Sequence, residues 1–322
     1  MQKVSLIITI LNEEKTIISL LDSILKQKTI PNEVIIVDGG SDDKSVEFVN
    51  NFIRSLEERR FKLSIKLFLK KGNRSVGRNF AIEKAKYAWI AVTDAGCTLD
   101  SKWLQELLRM QKQLNTEVVA GYYSAKPRTA FQEAVVPYVL VMPDRVDEKN
   151  FLPATRSVLF SKNIWQKVGG FNEKLSDNED YDFARKLKNS VINIGFSKKA
   201  VVIWEPCSSL KSFYKMIFRF ARGDVSAGIL RPKVVLVFLR YLVGTSVFIW
   251  GIIERINTGK IWILFGVIPS FLMIYLLWSI YKNYHYTPRG WYLLPLLQIT
   301  SDIAVMFGSF SGFIMINKLP RT

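Results

Sequence analysis

The sequence predicts an α/β fold, with a doubly wound and mainly parallel sheet, that is followed by transmembrane helices. In the first two thirds of the chain, short β-branched runs alternate with segments whose apolar residues recur at helical spacing. Strands separated by helices of this length require right-handed crossovers, which place parallel strands side by side. The last third is strongly apolar, so we expect one sizeable α/β domain with a membrane appendage.

The individual elements follow from these patterns. The β-branched runs predict strands, and the alternating run from Leu63 to Leu69 predicts a strand that is exposed on one face. Strands are expected at 4–10, 33–37, 63–69 and 87–93. Helices are expected at 17–25, 75–86, 101–114, 161–168, 181–188 and 212–227. The last of these helices mixes apolar with basic residues, which fits a helix lying on a membrane surface or one packed against the globular domain.

Three long apolar runs in the last third predict membrane spans. They cover 234–253, 261–281 and 291–316, and each reaches the roughly 20 residues that cross the hydrocarbon of a bilayer. Buried helices of a soluble core are the alternative, but three in succession argue against it. Arg240 can snorkel from the end of the first run, whereas Asp302 lies well inside the third. We therefore expect a catalytic domain at 1–210, an interfacial helix at 211–230 and a membrane region at 231–322.

The formal net charge of +17 is compatible with nucleic acid, an anionic membrane surface or phosphate-bearing substrates. The apolar spans favour the membrane, and no aromatic and basic motif for nucleic acid is present. Basic segments next to membrane spans stay on the cytosolic side, so we expect a multi-pass protein of the cell membrane with its globular domain in the cytosol. Cys97 and Cys207 form neither a disulfide framework nor a zinc motif, which suits a reducing compartment.

Two carboxylates mark the end of the predicted strands. Asp38 and Asp94 each follow an apolar strand and precede a turn of small residues. Ligands of doubly wound sheets bind in the crevice beyond the carboxyl ends of the strands. A single aspartate in such a place commonly caps the next helix, but two at one sheet edge argue for a binding site.

Five segments, taken in order, resemble the family 2 glycosyltransferases, which have the GT-A fold. These segments are ILNEE, VDGGSDD, NRSVGRN, TDAGC and NEDYD, and the resemblance covers roughly residues 3 to 225. It implies a transferase that binds a nucleotide-sugar, with the nucleoside held by Thr9, Asn12, Glu13 and Asp38. Helix capping is the alternative role for Asn12 and Glu13, and both roles are compatible.

Basic residues near the same edge are candidates for the diphosphate. Arg78 and Asn79 lie within the third motif, and a guanidinium matches phosphate oxygens. The resemblance assigns both to the nucleotide-sugar site. Arg219 and Arg222 precede Gly223 and are similar to an Arg-Gly element of the family, which implies contact with the diphosphate or the acceptor. Interaction of these two arginines with the membrane surface is the alternative.

The fourth motif falls where the family usually carries Asp-x-Asp, whose carboxylates coordinate Mg²⁺ or Mn²⁺ across the diphosphate. Here Asp94 is present, but Gly96 stands in place of the second aspartate. The resemblance thus implies Mg²⁺ or Mn²⁺ as cofactor with Asp94 as ligand, while Gly96 removes the other ligand. Cys97 is a poor substitute, because a soft thiolate is not the natural partner of a hard cation. Asp100 is a second candidate ligand or the cap of the next helix.

The fifth motif supplies the catalytic candidates. Glu179 and Asp180 are similar to the Glu-Asp pair of the family, in which the aspartate removes the proton of the attacking acceptor hydroxyl. One base and direct displacement imply inversion at the anomeric carbon. Acidic residues at a helix start more often complement the helix dipole, and only the upstream motifs favour catalysis.

Other functions fit less well. A nicotinamide oxidoreductase would need Gly-x-Gly-x-x-Gly after the first strand, where this chain has LNEEK. A degenerate membrane adaptor that binds an anionic lipid or a protein partner is the alternative supported by Gly96. We expect a hexosyltransferase-like enzyme of cell-envelope polysaccharide synthesis that uses a UDP- or GDP-sugar. Its acceptor would be polyisoprenyl-phosphate, another lipid-linked glycan or a polysaccharide, reached at the cytosolic face of the membrane.

Overall fold

The computed structural model describes residues 2–190 and 192–318. The chain divides into two compact units, one drawn from Met1–Lys126 and Leu140–Glu205, the other from Pro127–Val139 and Pro206–Thr322. The last four residues of the expected membrane region, 319–322, lie outside the described residues.

The strands and helices follow in chain order. The strands are β1 (Val4–Ile10), β2 (Glu33–Asp38), β3 (Ser64–Leu69), β4 (Trp89–Val92), β5 (Cys97–Leu99), β6 (Val118–Ala125), β7 (Val158–Ser161) and β8 (Ile194–Trp204). The helices are α1 (Ile17–Leu25), α2 (Ser45–Glu58), α3 (Arg74–Lys84), α4 (Trp103–Leu114), α5 (Ala130–Val139), α6 (Lys162–Lys167), α7 (Glu179–Asn189), α8 (Leu210–Ser226), α9 (Pro232–Thr258), α10 (Ile268–Tyr281) and α11 (Leu294–Lys318). A π-helical stretch, Ile263–Val267, precedes α10, and short 3-10 turns lie at Pro143–Arg145, Tyr284–Tyr286 and Trp291–Leu293.

The first unit is built on an eight-stranded sheet in the order β3-β2-β1-β4-β7-β6-β8-β5. The neighbours β3, β2, β1 and β4 run parallel, as do β6 and β8. However, β7 is antiparallel to both β4 and β6, and β5 is antiparallel to β8. The sheet is therefore mixed rather than purely parallel, with four parallel and three antiparallel pairs of neighbouring strands. No local pattern predicts the antiparallel pairs, because β5 and β7 are short and their pairing with β8 and β4 depends on tertiary contacts.

Both faces of the central strands are buried, which explains their continuous apolar sequence. Alternate residues of β1 serve the two faces: Ile8 packs in a core with Leu21 of α1 and Leu104 of α4. On the other face, Ile7 packs in a second core with Ile82 of α3 and Phe183 of α7. Helices thus cover both faces of the sheet, and the carboxyl ends of β1, β2 and β4 share one edge. The strand β3 lies at the edge of the sheet and is partly exposed, as its alternating sequence predicts.

Gly121 lies where the register of β6 shifts against β8. A Cβ atom there would collide with the Ser157 hydroxyl and lie 2.7 Å from the carbonyl oxygen of Ala200. We predict that Gly121→Ala lowers the free energy of unfolding by about 1–3 kcal/mol, because the added methyl group overlaps Ser157 and the Ala200 backbone. The thermal unfolding midpoint of the purified full chain measures this effect. The matched control is Gly96→Ala, since a Cβ at Gly96 meets no atom within 4 Å; equal midpoints for the two variants would contradict the prediction.

The second unit contains helices that are long and apolar enough to cross a membrane. Within the described part of the chain, three qualify: Pro232–Thr258, Ile263–Tyr281 and Trp291–Met315. They coincide with the three apolar runs of the sequence to within a few residues at most ends. Length and composition are thus compatible with membrane association.

The helix α8 packs within this second unit. Its residues Phe213 and Ile217 are buried in a cluster with Leu294 and Leu297 of α11. Small residues in α11 permit close approach, because a Cβ at Gly312 would lie 2.6 Å from the backbone oxygen of Arg222 on α8. The buried residues of α8 therefore pack on α11 of the same unit.

Asp302, the carboxylate inside the third apolar run, has partners on neighbouring helices. Its Oδ2 atom accepts hydrogen bonds from the hydroxyls of Tyr241 and Tyr275 and lies 3.3 Å from Nη1 of Arg240. Its Oδ1 atom accepts from the amide of Gln298 at 2.9 Å. The buried carboxylate thus connects α9, α10 and α11 through hydrogen bonds. These bonds account for an ionisable residue in an apolar helix.

Candidate active site

A three-membered ion network lies beyond the carboxyl end of β4, entirely within the first unit. Arg78 is sealed in the protein, with 1% of its side chain exposed. Its Nη1 donates to Oε1 of Glu179 at 2.7 Å, and its Nη2 donates to Oδ1 of Asp94 at 2.9 Å. The Asn73 side chain caps α3 by accepting from the Val76 amide, which starts the helix so that Arg78 lies one turn inside it. Since Asp94 follows β4 and Glu179 begins α7, the arginine joins three elements.

The charges of this network are mutually stabilised. Burial acts to lower the pKa of Arg78, but Asp94 and Glu179 outweigh burial and raise it above the usual value. Burial acts to raise the pKa of Asp94, yet the guanidinium groups of Arg78, Arg74 and Arg156 hold it below the usual value. Asp94 is therefore a fixed negative charge, held in place by a fully buried cation.

Asp180, the neighbour of Glu179 at the start of α7, has the opposite tendency. Burial and the charge of Glu179 raise its pKa above the usual value, and Arg78 only partly opposes them. Its Oδ1 atom accepts from the backbone amide of Tyr181 at 2.8 Å, and the residue remains partly exposed. A carboxylate that is reachable and prefers to hold a proton has the character of a general base, whereas Asp94 has that of a fixed binding group.

Asp38 serves the turn that follows β2. The side chain is buried, and its oxygens accept from the amides of Gly40 and Ser41 and from the Ser41 hydroxyl, at 2.6 to 3.2 Å. Asn12 lies in the left-handed region, with φ of 58°. Its amide donates to Ser41 Oγ, and its side chain accepts from the Asp42 amide. These contacts hold the turn after β2 and connect it to the loop after β1, whereas the residues at the N-caps of α1 and α2 are Thr16 and Lys44.

The remaining candidates of the first unit lie around these loops. Burial raises the pKa of Glu13, although the Thr16 hydroxyl donates to its carboxylate at 2.7 Å and opposes the shift. Thr9 lies on β1 beneath α3, where Gly77 leaves room for its methyl group. Asn79 is bonded to protein on both sides of its amide: it accepts from the Trp165 indole and the Phe171 amide and donates to the Phe171 carbonyl. Asn79 thus fixes the segment that leads to α7.

The structure therefore brings Asp94, Arg78, Glu179 and Asp180 into one cluster. Arg219 and Arg222 lie on α8, which belongs to the second unit. Arg222 lies over the ring of Phe218, with its Cζ atom 5.9 Å from the ring centroid.

Sequence reasoning missed one residue of the cluster, Arg156. Its Nε atom lies 3.7 Å from Oδ2 of Asp94, and its guanidinium carbon lies 5.2 Å from the ring centroid of Trp204 and 5.7 Å from that of Tyr123. Arg156 precedes β7, some sixty residues from Asp94 in the chain. It belongs to none of the recognised motifs, so only the antiparallel pairing of β4 with β7 reveals the contact.

The residues near Asp94 do not fit a metal ion held by two carboxylates. The Asp94 oxygens face Arg78 and Arg156, and Gly96 offers no donor. Burial raises the pKa of the Cys97 thiol to about 12, so it stays protonated and is no ligand. Asp100 is engaged in the turn that leads into α4, since its Oδ1 accepts from the Lys102 amide at 2.9 Å. Within residues 2–190 and 192–318, no group of three or more His, Cys, Asp or Glu side chains is placed to hold a metal ion.

The first unit thus combines a mixed sheet, helices on both of its faces and acidic residues beyond its strand ends. Residues 5–155 match Glycosyl transferase family 2. The match covers just under half of the chain, and over these residues the chain is similar to that family.

Three relatives illustrate the similarity. The poly(ribitol-phosphate) β-N-acetylglucosaminyltransferase TarP of Staphylococcus aureus is 26% identical over 175 residues, which are 52% of this chain and 51% of TarP. The chain thus spans about half the length of this curated relative. The mannosyltransferase PcManGT of Pyrobaculum calidifontis, solved in complex with GDP-Man and Mn²⁺, superposes with a TM-score of 0.64 at 18% identity, over 95% of this chain and 87% of that one. S. aureus TarS 1–349 in complex with UDP-GlcNAc gives a TM-score of 0.51 at 16% identity, over 99% and 93%. The structural likenesses show a shared fold.

Proposed function

We propose that this protein is an inverting glycosyltransferase that moves a sugar from a nucleotide-activated donor to an acceptor hydroxyl. The observation that carries the proposal is that two carboxylates of one cluster, Asp94 and Asp180, differ in their hydrogen-bond partners and in their pKa values. Asp94 is locked in the ionised form by Arg78, whereas Asp180 has a raised pKa and is partly exposed. A transferase with one base needs both kinds of group side by side.

In the proposed reaction the acceptor oxygen attacks the anomeric carbon from the face opposite the diphosphate. The acceptor proton passes to Asp180 as the new carbon–oxygen bond forms. The bond from the anomeric carbon to the β-phosphate oxygen breaks, and its electron pair leaves with the nucleoside diphosphate. One displacement inverts the anomeric centre. Glu179 and Arg78 position the carboxylates, and Asp94 accepts hydrogen bonds from the donor.

The loops beyond β1 and β2 are proposed to hold the nucleoside, with Thr9, Asn12, Glu13 and Asp38. Their mutual hydrogen bonds fix the shape of the loops before any ligand arrives. In this proposal Asp38 acts through the turn that it caps, since its oxygens are engaged there. Preorganised loops favour binding because little ordering remains to be done.

The acceptor is proposed to be lipid-linked or polymeric and to be reached at the cytosolic face of the membrane. Three candidate membrane helices and a net charge of +17 support this. TarP is named for an acceptor that is a polymer, poly(ribitol-phosphate). We assign the region 231–322 to the membrane and the α/β domain, 1–210, to the cytosol. The segment 211–230, most of which is α8, lies between them in sequence, and its Arg219 and Arg222 are proposed to contact the diphosphate or the acceptor.

The pH dependence of transfer should report on Asp180. The base works only when deprotonated, and its pKa lies above the usual 3.8 because of burial and Glu179. We expect kcat/KM to fall on the acid side with a slope of one in log units, at a pH above 3.8. Asp94 has a lowered pKa and stays ionised over this limb. A pH profile that is flat down to pH 4, in enzyme shown to remain folded, would contradict the assignment.

A donor panel tests the function itself. The purified full chain in detergent is incubated with radiolabelled UDP-glucose, UDP-N-acetylglucosamine, UDP-galactose or GDP-mannose, together with bacterial membrane lipids or cell-envelope polymers. We expect label from one donor to enter the organic-extractable or the polymer fraction. If no donor of the panel is bound, and none labels either fraction, the proposal is wrong.

A further inference from the structure

We propose that Arg156 is the cation that neutralises the diphosphate of the donor, so that nucleoside diphosphate binding needs no divalent metal. This inference rests on the proposed function and names a subsite within it. When the bond to the anomeric carbon breaks, the diphosphate oxygen gains a negative charge. A cation must meet that charge, and the partly exposed guanidinium of Arg156 lies 3.7 Å from Asp94.

The first argument is the lack of metal ligands. One carboxylate, Asp94, lies at the position in question, and arginine side chains already face both of its oxygens. A hard divalent cation takes oxygen ligands and bridges the diphosphate to the protein through one or two carboxylates. Here a metal ion would be placed between two guanidinium groups, which repel it. Cys97 supplies no charge because its thiol is buried and protonated.

The second argument is that Arg156 is held in place by the protein while its guanidinium N–H groups donate no hydrogen bond to any residue that the structure describes. Its backbone oxygen accepts from the Thr93 hydroxyl at 2.9 Å, which fixes it against the end of β4. Its guanidinium lies over the Tyr123 and Trp204 rings, and such contacts hold a cation without using its N–H groups. Throughout the part of the chain that the structure describes, the Arg156 side chain donates no hydrogen bond.

The third argument is exposure. Arg156 has 21% of its side chain exposed, whereas Arg78 has 1%. Arg78 is committed to Asp94 and Glu179, and a ligand cannot reach it. The planar fork of Arg156 can therefore donate hydrogen bonds to two phosphate oxygens at once, in the bidentate geometry that makes such contacts strong. The 3.7 Å separation from Asp94 is long enough for the guanidinium to turn towards a phosphate.

The open space at Gly96 allows a test of whether the site lacks a metal ion because it lacks a second carboxylate. A Cβ at Gly96 meets no atom within 4 Å, and its backbone does not require glycine, since its φ is outside the left-handed region. An aspartate fits there sterically. Gly96→Asp should therefore build the second carboxylate that the native chain lacks.

The experiment is calorimetric titration of the full chain in detergent, in excess EDTA and separately in Mn²⁺, with UDP, UMP, GDP and GMP as probes. In EDTA we expect the preferred nucleoside diphosphate to bind at least tenfold more tightly than its monophosphate. Arg156→Gln should reduce this preference about tenfold and leave monophosphate binding unchanged, and Arg156→Lys should retain part of it. Arg109→Gln, an exposed arginine on α4 that pairs with Glu106, is the control and should change nothing.

Gly96→Asp is expected to gain a Mn²⁺-dependent increase in diphosphate affinity that the native chain does not show. Wild-type binding of the diphosphate only in the presence of Mn²⁺ would overturn the inference and leave the proposed function intact. The same holds if Arg156→Gln keeps the full diphosphate preference. Absence of all nucleotide binding, with or without Mn²⁺, would instead contradict the proposed function, and with it the inference that depends on it.

Discussion

Replacing Asp180 with asparagine is expected to reduce sugar transfer by about 10²- to 10⁴-fold, the usual contribution of a general base. Asparagine has nearly the same shape and can keep the contact with the Tyr181 amide, but it cannot take the acceptor proton. Nucleotide-sugar binding should remain within about twofold, because Asp94 and the loops beyond β1 and β2 are untouched. Initial rates of label transfer and calorimetric donor binding, measured on the same preparations, check both parts.

Stability separates this outcome from unfolding. The pKa of Asp180 is raised in the folded chain, so its stabilising contribution is present at low pH and is lost as the pH rises through the folded pKa. At neutral pH the ionised side chain of Asp180 lowers the free energy of unfolding. Asp180→Asn should therefore unfold no more easily than the native chain. Asp182→Asn is the control, since Asp182 lies in the same helical turn but pairs with Lys186 at 3.1 Å. If Asp180→Asn keeps most of the transfer rate, Asp180 is not the base.

Replacing Arg78 with methionine is expected to have the largest effect on stability. The substitution leaves Asp94 and Glu179 without the guanidinium that both contact. Removing one partner of a buried ion pair costs about 3–5 kcal/mol, because the remaining charge is stranded. For a domain of this size the thermal midpoint should fall by roughly 10 °C. Transfer activity should be lost even below the new midpoint, since Asp94 and the start of α7 lose their common anchor.

Two further variants keep this prediction open to refutation. Arg78→Lys retains the charge but not the planar fork, and its midpoint should lie between those of Arg78→Met and the native chain. Arg109→Met breaks an exposed pair with Glu106 on α4, for which a change below about 1 kcal/mol is expected. A midpoint for Arg78→Met as high as that of Arg109→Met would show that the buried network does not hold the site together.

The first half of the sheet was readable from sequence, because β1, β2 and β4 are buried on both faces and are therefore continuous apolar runs. The second half was not. Along β8, Lys198 and Lys199 are exposed where the register against β6 shifts, so the apolar pattern is interrupted. The strands β5 and β7 are too short to show a period. Their antiparallel pairing with β8 and β4 depends on tertiary contacts, which no local pattern records.

The candidate site shows the same division. The motifs named Asp94, Arg78, Glu179 and Asp180, and the structure brings them together because strand ends and helix starts share a sheet edge. The motifs did not show that Arg78 is buried between two carboxylates. Nor did they show that the oxygens of Asp38 accept hydrogen bonds from its own turn. Arg156 has no sequence signal, since its place beside Asp94 arises from β7 inserting next to β4.

The most direct test of the whole account is the stoichiometry of one reaction. With the donor selected from the panel and an excess of acceptor, the native chain should release one nucleoside diphosphate for each sugar incorporated, with inverted anomeric configuration. Asp180→Asn should bind the donor equally well and release almost none. Native enzyme that binds the donor but transfers no sugar, or an Asp180→Asn variant that releases nucleotide and incorporates sugar at the native rate, would contradict the account.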